Sequence, residues 1–401
     1  MTNVDERVSM PRTAGVGQAL PLLAASCMPV LGSVLITPVL PQISQHFAST
    51  PAATVLVPMI VAVPALMIAL FAPFAGQIAD RVARKRLLVV ALTVYAVVGV
   101  APAILDDLQG ILATRLLLGV CEAAIMTVAT TLIVDYFPDD RRRNRYLGLQ
   151  AVTTTLAATV FIAVGGTVGA HGWHTPFWIY LAGLAIAVPV AMLLWEPERP
   201  VRTESAQIPL PRLPWGRLAL PLVVTLVGGM SFYVLIVEVS YLVVGTGVAP
   251  EETGIIGAVA AGASLATAAG GLVFAKVAHL TPARLLPVAF GLQAVGMVVI
   301  WLVDGLGGVV TGGLIASLGS GLLLPTLVVW VVAEQPFEQR GRVSGLWNSA
   351  FFFGQFLAPL VATGLATALG GLSIAVGVVG GLALVAAVTT MLTSRSMTAA
   401  A

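Results

Sequence analysis

The sequence predicts an all-α integral membrane protein whose twelve transmembrane helices form two pseudo-symmetric bundles of six. Three observations lead to this fold class: the composition, the number of long apolar runs, and the placement of basic residues between the runs. Apolar residues make up 58% of the 401-residue chain and charged residues only 9%. A soluble domain carries about 25% charged residues, so this chain has too few charges to cover a folded surface in water. The net charge of +2 also gives no reason to expect a nucleic-acid partner.

The apolar runs are long enough to cross a lipid bilayer as helices. A helix needs about 20 mostly apolar residues for this, because the hydrocarbon core holds no water to satisfy an exposed backbone. Charged and turn-forming residues divide the chain into twelve such runs, which we number spans 1 to 12. The predicted spans cover residues 16–40, 52–79, 87–105, 109–134, 145–170, 174–195, 216–244, 252–277, 284–303, 307–333, 343–369 and 372–393.

Basic residues alternate between the connecting loops, and this alternation predicts the orientation of the chain. Of the 20 Lys and Arg residues, 19 fall on one face of the predicted membrane, and Arg115 lies inside a span. Loops rich in Lys and Arg stay in the cytoplasm. We therefore expect a multi-pass protein of the cell inner (plasma) membrane with cytoplasmic N- and C-termini.

The chain divides into two halves of six spans. Residues 196–215 are polar and proline-rich, which disfavours helix and is typical of a linker. The predicted organisation is an N-terminal bundle over residues 1–195, a cytoplasmic linker over 196–215 and a C-terminal bundle over 216–401. A weak internal repeat supports it, since an acid, a proline, an arginine and Gly-Leu follow in this order after spans 4 and 10. Such a duplicated bundle suits a transporter that rocks two halves about a central site.

The loop after span 2 carries a recognisable motif. It reads Gly76-Gln-Ile-Ala-Asp80-Arg81-Val-Ala83-Arg84-Lys85, and it resembles the Gly-x-x-x-Asp-Arg-x-Gly-Arg-Lys signature of the major facilitator superfamily, with Ala83 in place of glycine. The segment from Gly172 to Trp178 also resembles the stretch that opens span 6 in this family. The resemblance covers essentially the whole chain and points to the 12-span drug/proton antiporter branch.

This resemblance implies a cytoplasmic gate, formed by residues of the loop motif and the end of span 4. Asp80 would lie near the N-terminus of span 11, where a carboxylate interacts favourably with the helix dipole, and Arg81 would reach Asp135. Such contacts form only when the cytoplasmic side is closed, so they favour one of two states. The predicted gate residues are Gly76, Asp80, Arg81, Arg84 and Asp135.

Three ionisable residues lie inside spans, where each is costly unless it is paired or hydrated. Arg115 and Glu122 share span 4 and are seven residues apart, about 700° of helix rotation, so they lie on one face about 10 Å apart along the axis. Glu238 lies in the outer third of span 7. An apolar site favours the protonated form of a carboxyl, and a nearby arginine opposes this. We predict Glu122 as the principal proton site, Arg115 as its modulator and Glu238 as a second acid or substrate contact; a structural ion pair is the alternative.

Aromatic residues cluster on spans 7 and 11, and Asn348 and Gln355 share one face of span 11. Packing against neighbouring helices or lipid is the ordinary role of such stripes. A cavity lined by rings and amides would also suit an amphipathic compound. The predicted substrate-binding residues are Arg115, Glu122, Phe232, Tyr233, Glu238, Asn348, Phe352 and Gln355.

These features predict a secondary transporter that exports small amphipathic or drug-like compounds in exchange for protons. The span 5 signature of drug/proton antiporters is incomplete, since Gly165-Gly166 remain without the preceding Gly-Pro. The alternative is a proton-coupled importer or a facilitator of a small organic anion or metabolite, in which Arg115 would clamp a carboxylate. A receptor that binds without flux is a further possibility.

No Walker loop or hydrolase motif is present, so we expect no enzyme activity, no metal and no cofactor. A monomer suffices.

Overall fold

The computed structural model describes residues 14–74, 82–197, 213–332 and 335–398. Within these ranges, twelve helices are long and apolar enough to cross a membrane, which confirms the predicted number of spans. They cover Val16–His46, Ala53–Phe71, Arg84–Ala103, Leu108–Tyr136, Asp140–Gly169, Thr175–Leu193, Trp215–Gly245, Thr253–Val277, Pro282–Leu302, Gly305–Val332, Gln339–Leu369 and Leu372–Leu392. The predicted linker lies largely outside the described residues, so its boundaries stay a prediction.

Span 1 is longer than predicted and is not one continuous helix. It consists of helices Val16–Ser26 and Met28–Val34, a short 3₁₀ helix Thr37–Val39 and a last helix Leu40–His46. Pro29, Pro38 and Pro41 each stand in the first turn of one of these segments. Proline lacks an N–H but fits the first helical turn, where that N–H would have no partner. The prolines therefore divide the span without ending it.

Most other boundaries lie within a few residues of the prediction. Span 5 begins earlier than predicted, at Asp140, because the carboxylate of Asp139 accepts a hydrogen bond from the backbone N–H of Arg142 at 2.9 Å and caps the helix. Span 2 ends at Phe71, and residues 75–79 of its predicted range lie outside the described part of the chain. Span 6 opens with a 3₁₀ segment, Thr175–Leu181, before its α-helix Ala182–Leu193.

The spans pack as two bundles of six, and glycines allow close contacts inside and between them. In the C-terminal bundle, Gly296 of span 9 lies so close to span 10 that an added Cβ would be 2.4 Å from the carbonyl oxygen of Gly312. The outer surface remains apolar: Val97, Met192 and Leu272 are each more than 60% exposed. An apolar exterior around a packed interior is what a protein in lipid requires.

The two bundles contact each other near both ends of the spans. We call the end near Arg84 and Arg143 the basic end, and the end near Asp106 and Glu251 the acidic end. At the basic end, the hydroxyl of Ser349 on span 11 donates to the carbonyl oxygen of Ala69 on span 2 at 2.6 Å.

Spans 5 and 8 meet at the acidic end, where two glycines bring their backbones together. An added Cβ on Gly166 would lie 2.8 Å from the Cα of Gly257. The hydroxyl of Thr253 also donates to the carbonyl oxygen of Gly166 at 2.7 Å. These contacts hold the two halves around a space at mid-depth.

Candidate functional site

A cavity of about 520 Å³ lies between the two bundles. Its walls come from spans 1, 2, 4 and 5 of the first half and spans 7, 8, 10 and 11 of the second, with Ile300 added from span 9. Corresponding spans of the two halves therefore face the same space. The volume falls within the range of about 300–1,000 Å³ that is typical of small-molecule sites.

The lining of this cavity is apolar, aromatic or neutral and polar. Among the described residues that line it, none is Asp, Glu, Lys, Arg or His. The aromatic members are Phe232, Tyr233, Phe351 and Phe352. The neutral polar members, apart from Tyr233, are Ser26, Ser33, Thr130, Gln150, Thr154, Thr155, Ser264, Thr267, Ser317, Ser320 and Gln355. The site offers ring faces, hydroxyls and amides to a ligand, and no fixed charge.

The structure brings four of the predicted substrate-binding residues together in this cavity and leaves four outside it. Phe232, Tyr233, Phe352 and Gln355 line the wall, and the ring of Phe232 lies 5.8 Å from that of Phe351. The remaining four, Arg115, Glu122, Glu238 and Asn348, are not among the lining residues.

Hydrogen bonds between side chains fix part of the cavity wall in each half. In the first half, the amide of Gln150 donates to the hydroxyls of Ser26 and Thr130 at 2.8 and 3.0 Å. In the second half, the buried Gln293 donates to Ser320 at 2.8 Å and accepts from Ser231 at 2.9 Å. Hydroxyls are common in membrane helices and gave no signal in the sequence. An amide inside an apolar span is less common, and that feature could have indicated Gln150.

Arg115 is completely buried inside the N-terminal bundle. Its guanidinium donates to the carbonyl oxygens of Val98 and Gly99 on span 3 at 3.2 and 3.1 Å. The guanidinium carbon lies 5.3 Å from the ring centre of Phe177 and 5.1 Å from that of Tyr180. Carbonyl dipoles and aromatic faces both stabilise a buried cation. Its Nη1 has no hydrogen-bond partner among the described residues.

Glu122 is also completely buried, two helical turns further along span 4. Neither of its carboxyl oxygens has a hydrogen-bond partner among the described residues. The carboxyl packs against Gly32 of span 1, so closely that a Cβ added to Gly32 would lie 1.8 Å from Oε1. The hydroxyl of Tyr180 donates to the carbonyl oxygen of the same Gly32 at 3.4 Å. Glu122 and Arg115 thus share the interior of the N-terminal bundle, and Glu122 packs against span 1.

Glu238 lies on span 7 and is 3% exposed. Its Oε1 has no hydrogen-bond partner within the described ranges. Two residues further along, Ser240 donates to the carbonyl oxygen of Thr37 on span 1 at 2.7 Å, and the next residue, Tyr241, shares a 2.9 Å hydrogen bond with Ser44. Glu238 therefore stands one turn from a polar contact between the halves near the acidic end.

Comparison with known families accounts for this architecture. The family model described as Major Facilitator Superfamily matches the chain twice, over residues 22–224 and 221–398. The chain belongs to the major facilitator superfamily. The two matches correspond to the two six-span bundles, as expected for a transporter fold built from a repeat.

Proteins with different named activities resemble parts of the chain. It is 32% identical over 120 residues to a methylenomycin A resistance protein of Streptomyces coelicolor, which covers 29% of this chain and 25% of that protein. It is 31% identical over 126 residues to a gallate transporter of Pseudomonas putida, and this match covers 30% of this chain and 26% of that protein. The chain thus spans about a quarter of the length of these two relatives. A solved peptide transporter in complex with alafosfalin matches 94% of both chains with a TM-score of 0.74 and 14% identity, which shows the shared fold.

The loop signature of the superfamily lies partly outside the described residues. The predicted gate residues Gly76, Asp80 and Arg81 belong to the part that is not described. The described part shows an ion pair between Arg84 and Asp135. The predicted contact between Arg81 and Asp135 stays a prediction. The carboxylate of Glu196 also accepts from the backbone N–H groups of Arg84 and Lys85. These contacts join the ends of spans 3, 4 and 6, all within the N-terminal bundle.

Proposed function

We propose that the protein exports small neutral or cationic amphipathic compounds across the cell membrane in exchange for protons. The observation that carries this proposal is the uncharged lining of the central cavity. A ligand there leaves water for a wall of rings, hydroxyls and amides. Neutral aromatic compounds lose little hydration in this transfer, and aromatic faces compensate a lipophilic cation in part.

The same lining argues against the importer of an organic anion. A carboxylate that enters an apolar site without a cationic partner is left with a large uncompensated desolvation cost. Arg115, the candidate clamp, donates to span 3 carbonyls inside the N-terminal bundle and does not line the cavity. The relative named as a gallate transporter keeps this alternative open, and the experiment below includes it.

Proton coupling is assigned to Glu122, with Arg115 as the modulating charge and Glu238 as the second acid. A buried carboxyl without a hydrogen-bond partner has little to hold it in the charged form, so it is suited to bind a proton and release it when its surroundings change. The proton gradient would then supply the energy, with no bound cofactor.

In the orientation predicted by the basic residues, both termini and the basic end face the cytoplasm. One chain encloses the whole cavity, so a monomer suffices.

The test is proton flux in proteoliposomes that contain a pH-sensitive dye and are given an inward proton gradient. Ethidium serves as the aromatic cation, a neutral aromatic drug as the uncharged compound, and gallate as the organic anion. We expect ethidium or the neutral compound to move protons in the opposite direction in the wild type, and this movement to be absent in Glu122→Gln.

The matched control is Glu251→Gln, which removes an exposed carboxyl at the acidic end and should leave flux unchanged. Proton movement together with gallate, and with neither of the other compounds, would establish the importer and refute the exporter. Undiminished proton exchange in Glu122→Gln would remove Glu122 from the coupling mechanism.

A further inference from the structure

Span 1 receives side-chain hydrogen bonds from both halves of the molecule. From the N-terminal bundle, the hydroxyl of Tyr95 donates to the carbonyl oxygen of Met28 at 2.7 Å, and Tyr180 donates to that of Gly32. From the C-terminal bundle, Tyr233 donates to the carbonyl oxygen of Ser33 and Ser240 to that of Thr37. Four hydroxyl groups, two from each half, therefore hold backbone carbonyls of span 1.

Tyr233 differs from the other three donors because it also lines the central cavity. It is 1% exposed, and its hydroxyl crosses from span 7 into the first half. There it lies 2.8 Å from the carbonyl oxygen of Val61 on span 2 and 3.3 Å from that of Ser33 on span 1. One side chain thus contacts both the space for a ligand and the backbone of the opposite bundle.

The contact on Ser33 is next to the contact that buries Glu122. Gly32 precedes Ser33, and the Glu122 carboxyl occupies the space that a side chain at Gly32 would need. The carbonyl of Ser33 lies in the Ser33–Val34 peptide plane, which meets the Gly32–Ser33 peptide plane at the Ser33 Cα, so a movement of that carbonyl is passed on to Gly32. Span 1 can move locally here, since its helical segments are short and Met28–Val34 ends only three residues before the 3₁₀ helix.

From this geometry we propose that Tyr233 is a positioning residue for Glu122. Its hydroxyl holds span 1 in the position that encloses the Glu122 carboxyl. A ligand that packs against the Tyr233 ring shifts the hydroxyl away from Ser33 and Val61, and this releases span 1 and opens the carboxyl to protons. The last step rests on the proposed exporter function, whereas the positioning of Glu122 by Tyr233 does not.

The first experiment measures access to Glu122 without any transport. Dicyclohexylcarbodiimide, an apolar reagent that modifies protonated carboxyls, is added to purified protein at one fixed pH, and labelling at Glu122 is followed by mass spectrometry. We expect Tyr233→Phe to label about fivefold faster than the wild type, the change that corresponds to one ordinary hydrogen bond. The phenylalanine ring keeps the shape of the cavity wall, and size-exclusion chromatography checks that the variant is folded.

The matched control is Ser264→Ala. Ser264 also lines the cavity and also bonds across the two halves, to the hydroxyl of Thr159 at 2.8 Å, but it is on span 8 and does not contact span 1 through that bond. Its removal should leave Glu122 labelling unchanged. Equal labelling in Tyr233→Phe and the wild type, or an equal rise in both variants, would overturn the proposal.

A second measurement tests the effect of cavity occupancy. Ethidium should raise Glu122 labelling in the wild type and produce no further rise in Tyr233→Phe, where the hydroxyl is already absent. A labelling rate that ethidium leaves unchanged in the wild type, while Tyr233→Phe alone raises it, would overturn the ligand-driven release and keep the positioning role. Failure of the exporter proposal itself is recognised separately, by the absence of ethidium-driven proton flux in proteoliposomes.

Discussion

Gly166→Ala should open the acidic end of the molecule. A methyl group on Gly166 would lie 2.7 Å from the carbonyl oxygen of Thr253 and 2.8 Å from the Cα of Gly257. The first distance is 0.7 Å less than the 3.4 Å at which ordinary van der Waals contact begins. Both neighbouring atoms belong to the backbone of span 8, so no side-chain rotation relieves the overlap. In a state whose acidic end is closed, the new methyl group therefore forces spans 5 and 8 apart.

The size of the effect follows from the cost of overpacking, which is about 1–3 kcal/mol for one inserted methyl group. This cost applies only to the state in which Gly166 and Gly257 are in contact. A state with the acidic end open does not incur it, so the ratio of open to closed molecules should rise about 5- to 150-fold. Loss of the 2.7 Å hydrogen bond from Thr253 to Gly166 acts in the same direction.

The assay is a distance measurement between two spin labels at the acidic end. Cysteines at His171 and Glu251, both exposed and located next to spans 5 and 8, carry the labels after Cys27 and Cys121 have been replaced by alanine. Gly166→Ala should move population from the shorter to the longer distance. The control is Gly262→Ala on span 8, where an added Cβ meets no atom within 4 Å. An unchanged distance distribution in Gly166→Ala, or the same shift in both variants, would refute the reasoning.

Three other changes test contacts within the N-terminal bundle. Gly32→Ala should lower thermal stability by about 1–3 kcal/mol, because its Cβ would overlap the Glu122 carboxyl, and adding Glu122→Ala should restore most of the loss in a melting experiment. Glu122→Gln should keep wild-type expression and detergent stability while losing proton exchange in proteoliposomes. Asp135→Asn removes the ion pair with Arg84 and should cost about 1 kcal/mol in the same melting experiment, with a smaller difference in high salt, since both side chains are partly exposed.

Each of these predictions has an outcome that contradicts it. If Gly32→Ala and the double variant melt at the same lowered temperature, the Glu122 carboxyl is not what the new methyl group meets. A Glu122→Gln protein that is poorly folded would make the buried acid structural. A loss in Asp135→Asn that high salt leaves unchanged would show that the ion pair is not screened by solvent.

The twelve spans could be predicted because a helix in lipid must be long enough to cross the bilayer and apolar enough to lie in it. Both properties can be read from the sequence. The course of span 1 was less accessible. The predicted span ended at residue 40, before Pro41, whereas the structure accommodates Pro38 and Pro41 each in the first turn of a new helical segment. A proline marks a position where a hydrogen bond is absent, and the packing around it decides whether the helix continues in a new direction.

The candidate site could be predicted only in part, for a reason that the spacing of Arg115 and Glu122 illustrates. Seven residues place the two on one face of span 4, but spacing does not specify which neighbour that face meets. The structure turns it towards Gly99, Phe177 and Gly32, inside one bundle. The rotation of a helix about its own axis follows from the fit of all its neighbours. Gln355 lines the cavity and Asn348, two turns away on the same face of span 11, does not. Spacing predicts a shared face but not the depth at which the cavity ends.

The uncharged cavity has a consequence for the energetics of the proposed exchange. An uncharged wall can admit both neutral and cationic compounds, and the net charge moved in a complete cycle is the proton charge minus the substrate charge. Exchange of one proton for one neutral compound carries one positive charge inward, and the membrane potential adds about 2.3 kcal/mol per 100 mV to the driving force. Exchange for a monovalent cation carries none, and only the pH difference drives it. A cell would therefore expel neutral compounds against steeper concentration ratios than cationic ones, and a potassium ionophore that collapses the potential would abolish that advantage.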